Sequence, residues 1–232
     1  MFRFNRLSSS SRAIAGGAPV VAEVSLSERL AFIRKVYSLL ALSLFFGIVA
    51  GAFTMNSPEF LLFVVNNMMI FFIAEIGFLI AANFVKKESS LSFIMMNAFT
   101  VLTGITTAPI VYVYKDVALQ AALTTVAIFL GLTFYTFVSK KDFSFLGGML
   151  TVSIIAMVVL GLLNAFWFQS GITQLFLSGV GVLVFSGFIL YETSNIMRVY
   201  PTNMAVQASL ALYISILNLF ISLLQIFGGG RR

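Results

Sequence analysis

Seven long runs of apolar residues, separated by short polar segments, cover most of the chain after residue 35. Each run approaches or exceeds the roughly 20 residues that an α-helix needs to cross a hydrocarbon core about 30 Å thick. A transmembrane β-barrel would instead show short strands of alternating apolar and polar residues. The pattern therefore predicts an all-α, polytopic integral membrane protein, a bundle of seven transmembrane helices. The predicted spans are 36–55, 60–84, 91–112, 117–138, 143–168, 172–200 and 205–227.

The N-terminal region differs from the rest of the chain. Residues 1–24 are rich in Ser, Ala, Gly and Arg and have too little apolar content to fold, so they are predicted to form a disordered cytoplasmic tail. Ser25 and Glu28 then have the spacing of a helix capping box. Leu26, Leu30 and Ile33 follow on one helical face, which predicts a short interfacial helix before the first span. Residues 25–232 are predicted to be one transmembrane domain.

Composition supports a membrane location and excludes several chemistries. Sixty per cent of the residues are hydrophobic and 9% are charged. In soluble domains about 45–50% of the residues are apolar and about 25% are charged. There is no Cys and no His, which excludes disulfides, thiol nucleophiles, Cys/His metal sites and histidine catalysis. No phosphate-binding loop or catalytic set is recognisable, so we predict a protein that is not an enzyme and holds no cofactor or metal.

The positive charges are distributed as topology signals. The net charge is +6, but the basic residues lie in short clusters between apolar runs, which favours orientation in a membrane over nucleic-acid binding. With the N-terminus in the cytoplasm, Lys115 is the only basic residue in the loops on the other side. Arg231 and Arg232 then lie outside, against the rule that basic residues are enriched in cytoplasmic loops. We predict N-in and C-out, and leave open whether the last segment crosses fully. The inside residues are Arg3, Arg6, Arg12, Arg29, Arg34, Lys35, Lys86, Lys87, Lys140, Lys141 and Arg198.

Two carboxylates lie well inside apolar runs, Glu75 in the second predicted span and Glu192 in the sixth. A charge near the bilayer centre costs about 2.5–3.5 kcal/mol even on lenient scales, so such residues face protein or water and are functional candidates. Counted from the nearest predicted turns, Glu75, Glu192 and Ser215 lie at similar depth. A polar layer between spans two, three, six and seven is therefore expected.

Polar stripes accompany these acids. Ser215 and Asn218 lie on one face of the last predicted span, and Asn195 follows Glu192 by three residues. The stripes are also typical of packing between transmembrane helices, where small and hydroxylated residues are enriched. We therefore assign a functional role first to the two glutamates. The candidate proton or ion site consists of Glu192, Glu75, Ser215, Asn195 and Asn218.

Several segments resemble the Bax inhibitor-1 / YccA family, also called the transmembrane Bax inhibitor motif family. FSGFILYETSNIMR at 185–198 is similar to the family's sixth-helix pattern, and ALYISILNLFISLLQIF at 211–227 is similar to its last-helix pattern. LTGITTAPIVYVY at 102–114, SKKDFSFLGGML at 139–150 and IAEIGFLI at 73–80 support the match. The resemblance runs from about residue 25 to the C-terminus and implies seven helices with a central sixth. It suggests a bacterial member in the inner (plasma) membrane.

The family is linked to a pH-sensitive calcium leak that uses an acidic pair on helices six and seven. By position, Glu192 takes the helix-six acid, but Ser215 stands where the family has an aspartate. A serine cannot share a proton with Glu192 or supply a second negative charge to calcium, which prefers several oxygen ligands. Apart from this missing second acid, the resemblance implies a calcium or cation leak with Glu192 as its proton-sensing residue.

Two other functions remain open. Bacterial members are linked to modulation of a membrane-bound AAA protease, so a non-conducting regulator of membrane-protein quality control is the alternative. A small secondary transporter is a third. The broken helices that would favour a transporter are not evident in the sequence, apart from Pro109 near the end of the third span.

Overall fold

The computed structural model of the chain describes residues 18–84, 89–139 and 141–229. Within these ranges the chain forms a short 3-10 turn, Val21–Glu23, and a five-residue π-helical turn, Asn164–Phe168. The predictions for residues 1–17, Lys86, Lys87, Lys140, Arg231 and Arg232 lie outside the described residues. The α-helices are α1 (Leu26–Met55), α2 (Pro58–Asn66), α3 (Met68–Phe84), α4 (Ser90–Val113), α5 (Lys115–Ser139), α6 (Leu146–Leu163), α7 (Gly171–Arg198) and α8 (Ala205–Gly229).

The predicted all-α membrane fold is confirmed. Six helices in the described ranges are long and apolar enough to cross a membrane, and the bent pair α2 and α3 makes a seventh span if it is counted as one. The six single helices correspond to predicted spans one and three to seven. Apolar side chains on α6, such as Val152, Ile155 and Val158, are largely exposed, as expected for a face in contact with lipid.

The first helix begins earlier than its predicted span. The capping box is present, because the Ser25 Oγ accepts from the Glu28 N–H and the Glu28 carboxylate accepts from the Ser25 N–H. A separate interfacial helix was wrong, because α1 runs unbroken for 30 residues and no Gly or Pro interrupts it before Gly47. At 1.5 Å per residue such a helix is about 45 Å long, so its first turns extend beyond a core of about 30 Å.

The second predicted span is broken. The axes of α2 and α3 differ by 79° at the break, so the expectation of one continuous span without a broken helix was wrong. The Asn67 side-chain amide donates to the Phe63 carbonyl at 2.8 Å, and its N–H contacts the carbonyls of Phe63 and Val64. Asn67 thus caps the C-terminal end of α2, and the next helix begins at Met68.

The last helix lies at the centre of the bundle. A larger share of α8 is buried than of any other candidate span, and Leu212, Leu219 and Leu224 are each fully buried. The resemblance implied a central sixth span, which is α7, but burial on α7 is concentrated in its last two turns. The most extensive helix contacts are those of the α7–α8 hairpin, closely followed by those between α1 and α4.

Three glycines, Gly47, Gly51 and Gly104, let α1 and α4 cross in close contact. A Cβ atom at Gly104 would overlap the carbonyl oxygen of Gly47. At Gly51 a Cβ would lie 3.1 Å from the Gly104 carbonyl oxygen. Because backbone atoms occupy this space, no side chain fits at Gly104 unless the helices separate.

A short N-terminal segment, residues 18–24, packs on the turn between α7 and α8, and we call it the strap. The Val21 N–H donates to the Tyr200 carbonyl at 3.0 Å, and the Thr202 N–H donates to the Pro19 carbonyl at 3.0 Å. The Val21 side chain is fully buried. The predicted disordered tail was therefore too long at its C-terminal end, since this valine joins the core.

Candidate functional site

Glu192 lies near the end of α7, and we call Glu192 and its surroundings the inner site. Only 8% of the residue is exposed, and the Tyr200 hydroxyl donates to Glu192 Oε2 at 2.8 Å. The Asn195 carbonyl accepts from the N–H groups of Val199 and Tyr200. This ends the helix and allows Tyr200 to fold back over Glu192. Asn195 is buried, and its backbone carbonyl helps to position Tyr200.

The loop between α5 and α6 closes another side of the inner site. The Phe143 N–H donates to the Ser194 Oγ at 3.1 Å. In the same loop the Ser144 N–H donates to the Asp142 carboxylate at 2.9 Å. That backbone hydrogen bond lowers the pKa of Asp142, with a smaller contribution from the charge of Arg198. The Arg198 guanidinium also donates to the Lys141 carbonyl at 3.2 Å. Charged groups of both signs therefore lie at the end of the inner site that faces this loop, which we call its entrance.

Glu75 lies on α3, and we call Glu75 and its surroundings the outer site. The residue is half-buried, and the Thr106 hydroxyl on α4 donates to Glu75 Oε1. Glu75 lines a cavity of about 890 Å³ between α3, α4 and α8, which we call the vestibule. The vestibule extends past Asn218 to Gln174 and Gln225, towards the end of the bundle opposite Tyr200.

A hydrogen-bonded wall lies beside the vestibule. The Tyr213 hydroxyl on α8 lies 2.6 Å from the Thr103 hydroxyl and 3.4 Å from the Thr100 carbonyl oxygen. A Cβ at Gly47 would be 2.8 Å from the same tyrosine oxygen. Tyr213 thereby connects α8 to the glycine crossing of α1 and α4. Thr103 belongs both to this wall and to the vestibule lining.

The register of the α7–α8 hairpin places Glu192 relative to Ser215. The Ser178 hydroxyl donates to Gln225 Oε1 at 2.6 Å, and Gly181 faces the Ser222 side chain. An equal number of residues from these contacts brings Glu192 opposite Ala211, about one helical turn from Ser215. Glu192 and Ser215 therefore lie at similar heights but not directly opposite each other.

The structure does not join the predicted site residues into one hydrogen-bonded layer within its described ranges. Glu192 bonds to Tyr200, and Glu75 bonds to Thr106. Ser215 is buried, and its hydroxyl donates to the Ala211 carbonyl of its own helix at 3.0 Å. The Asn218 amide likewise donates within α8, to the Ile214 carbonyl at 2.8 Å.

Sequence reasoning missed the partners of both glutamates. Tyr200 lies eight residues after Glu192, which would be about 12 Å further along a continuous helix, and contacts it only because α7 ends at Arg198. Thr106 lies on the neighbouring helix α4, and nothing in the sequence indicated that it faces Glu75. Nothing in the sequence indicated the role of Tyr213, because a tyrosine in an apolar run looks like an ordinary lipid-facing or core side chain.

Comparison with known proteins assigns the chain to a family. Residues 29–232 match the family described as "Inhibitor of apoptosis-promoting Bax1". The protein named Bax inhibitor 1 of Schizosaccharomyces pombe is 34% identical over 90% of this chain and 80% of its own length. Mouse Protein lifeguard 4 is 35% identical over 88% of this chain and 87% of its own. An uncharacterised protein of Campylobacter jejuni is 38% identical over 86% and 89%. This chain therefore belongs to the Bax inhibitor family of membrane proteins.

Proposed function

We propose that this protein is a pH-sensitive cation leak in which Glu192 is the proton-sensing residue. The observation that carries the proposal is the position of two carboxyl groups on apolar helices. Glu75 lines the large vestibule, whereas Glu192 is buried beneath Tyr200. A route from one end of the bundle to the other would require movement of the hydrogen-bonded wall at Tyr213 and of Tyr200, which covers Glu192.

The change that opens the route is ionisation of Glu192. The Tyr200 hydroxyl gives Glu192 a hydrogen bond but no positive charge, and an ionised carboxylate without a counter-charge is costly in apolar surroundings. Deprotonation of Glu192 would therefore draw in water or a cation and favour looser packing of α3, α7 and α8. The titratable groups around it are Tyr200 from the turn, Tyr37 of α1 beside the neighbouring Thr193, and Asp142 with Arg198 at the entrance.

Selectivity for calcium should be weak. Ca²⁺ takes six to eight oxygen ligands, usually with several carboxylates. The inner site offers one carboxylate, and the Ser215 hydroxyl donates to its own helix. We therefore expect monovalent cations to pass about as readily as calcium. Restoring the acid with Ser215→Asp should favour calcium and add a second titration step, because two interacting acids titrate as a pair.

The alternative is a non-conducting regulator of membrane-protein quality control, such as a modulator of a membrane-bound AAA protease. The observation that favours it is the polar stripe of α8. Ser215, Asn218 and Ser222 each donate to a carbonyl of α8 itself, which is typical of a structural stripe. In this function the N-terminal tail would be the cytoplasmic contact.

Flux measurements separate the two functions. Calcium and potassium flux into proteoliposomes would be followed against pH for the native chain, Glu192→Gln and Ser215→Asp. Glu59→Gln is the matched control, because Glu59 is exposed at the start of α2. We expect flux to rise with pH through one transition in the native chain and the control, and to lose that dependence in Glu192→Gln. A transition that persists in Glu192→Gln contradicts the mechanism, and absence of flux in all variants favours the regulator.

The orientation in an inner membrane is also part of the proposal. The basic residues predict that the loop after α3 faces the cytoplasm. Because the chain has no cysteine, Ser89→Cys introduces a single reactive thiol. We expect it to react with a membrane-impermeant maleimide only after the cells are permeabilised. Reaction in intact cells would reverse the orientation.

A further inference from the structure

We propose that the vestibule binds an organic amine in its ammonium form, with the charged nitrogen at Glu75 and an apolar chain directed towards Gln174 and Gln225. This deepens the proposed function by naming the class of cation at the outer site. It rests on that function for any passage across the membrane, but binding itself does not require conduction.

The size of the vestibule points to a molecule rather than a bare ion. Ligand pockets in proteins are commonly about 300–1,000 Å³, and the vestibule is about 890 Å³. A metal ion needs a close cage of oxygen atoms. Glu75 is the only charged residue among the described residues that line the vestibule, and one carboxylate with nearby threonine hydroxyls does not form such a cage.

The charge of the vestibule defines one end of the ligand. The Thr106 hydroxyl occupies Glu75 Oε1, and no hydrogen bond within the described residues reaches Oε2. An ammonium group at Oε2 would complete an ion pair in surroundings of low polarity, where charge-assisted hydrogen bonds are strong. If the ligand arrives as a neutral amine and Glu75 is protonated, the proton passes from the carboxyl oxygen to the amine nitrogen, giving the same pair.

The remaining lining defines the body of the ligand. Aromatic rings of Phe72, Phe99 and Tyr114 line the vestibule, and such rings attract a cation through their faces as well as packing against apolar groups. From Ile214 to Gln225 the vestibule follows α8 for about 16 Å. These features fit a linear alkylammonium, which places its charge at Glu75 and its chain along α8.

The competing occupant is an uncharged apolar chain, such as a lipid tail, which would enter for its hydrophobicity alone. Dodecylamine and dodecanol separate the two, because they share a chain and differ in charge. Binding of each to the purified full-length chain in nanodiscs of zwitterionic lipid would be measured at equal mole fraction in the bilayer. Radiolabelled ligand and scintillation proximity give the dissociation constants directly.

For the native chain and the control Glu59→Gln we expect dodecylamine to bind at least tenfold more tightly than dodecanol. In Glu75→Gln the two affinities should become equal while that of dodecanol stays unchanged, which also shows that the variant is folded. Glu75→Asp should retain the preference for the amine. Equal binding of the two probes to the native chain, or an amine preference that survives Glu75→Gln, overturns the proposal. A chain that shows this selectivity without cation flux refutes the leak and leaves the site in place.

Discussion

The outer and inner sites each contain one glutamate on an apolar helix, but the protein treats the two side chains differently. Glu75 is held by a threonine of a neighbouring helix and borders a wide vestibule. Glu192 is held by a tyrosine from the turn at the end of its own helix, and the strap bonds the backbone of that tyrosine. The comparison teaches that residue type alone does not assign a role. Access makes the outer site suited to binding, and enclosure makes the inner site suited to control.

The largest expected effect comes from the glycine crossing that holds the wall beside the vestibule. Gly104→Leu would force a side chain into the Gly47 carbonyl. Overpacking typically costs about 1–3 kcal/mol and occasionally more, and an overlap with backbone lies at the upper end of that range. We expect a large drop in thermal stability in detergent, followed by fluorescence-detected size exclusion. Gly131→Leu is the control, because a Cβ at Gly131 meets open space. Equal stability of the two variants would show that the crossing does not hold the wall in place.

Thiol labelling tests the difference in access. Thr107→Cys places a thiol in the vestibule lining, whereas Thr193→Cys places one at a fully buried position next to Glu192. We expect an impermeant methanethiosulfonate to modify the first at least about 100-fold faster, because a buried thiol reacts only after local opening. Similar rates for the two thiols would remove the distinction between an open and a closed site.

A smaller effect is expected from the tyrosine cover. Tyr200→Phe removes the hydroxyl that donates to Glu192, and an unsatisfied buried acceptor costs about 1–2 kcal/mol. We expect reduced thermal stability and, when combined with Thr193→Cys, faster labelling at the inner site with no change at Thr107→Cys. Tyr135→Phe, on the exposed side of α5, serves as control. An unchanged labelling rate at the inner site would mean that Tyr200 does not close it.

The smallest effect concerns Asp142, the acid beside the inner entrance. Its pKa is lowered by the Ser144 backbone N–H, so its contribution to stability is present above the ordinary carboxyl pKa and is lost only as pH falls through the lowered value. Asp142→Asn should change the free energy of unfolding by at most about 0.5 kcal/mol, with no trend between pH 5 and 8. Chemical unfolding at several pH values tests this. If Asp142→Asn removed a pH response in that range, Glu192 would not be its source.

The helices were predictable because membrane spans need continuous apolar runs, and six single helices fall where those runs lie. The break at Asn67 was not, because an asparagine in an apolar stretch does not by itself break a helix: Asn218 makes the same bond to the carbonyl four residues earlier inside the unbroken helix α8. Glu192 and Glu75 stood out because carboxylates are rare in such runs. Their partners depend on how helix ends fold back and how neighbouring helices align, and a single sequence contains no periodic signal for either.

The strap also constrains the order in which parts of the protein can fold during synthesis. Val21 is among the first described residues, yet its backbone bonds to Tyr200, which is synthesised roughly 180 residues later, about 10–35 s at common rates of translation. During that interval Val21 cannot form its native contacts. The first helix stays in the membrane, and the strap before it remains unattached. Completion of the last hairpin is therefore the event that fastens the N-terminal end of the fold. A ribosome-stalled chain that ends before Tyr200 would expose this segment to a protease, and the finished chain would protect it.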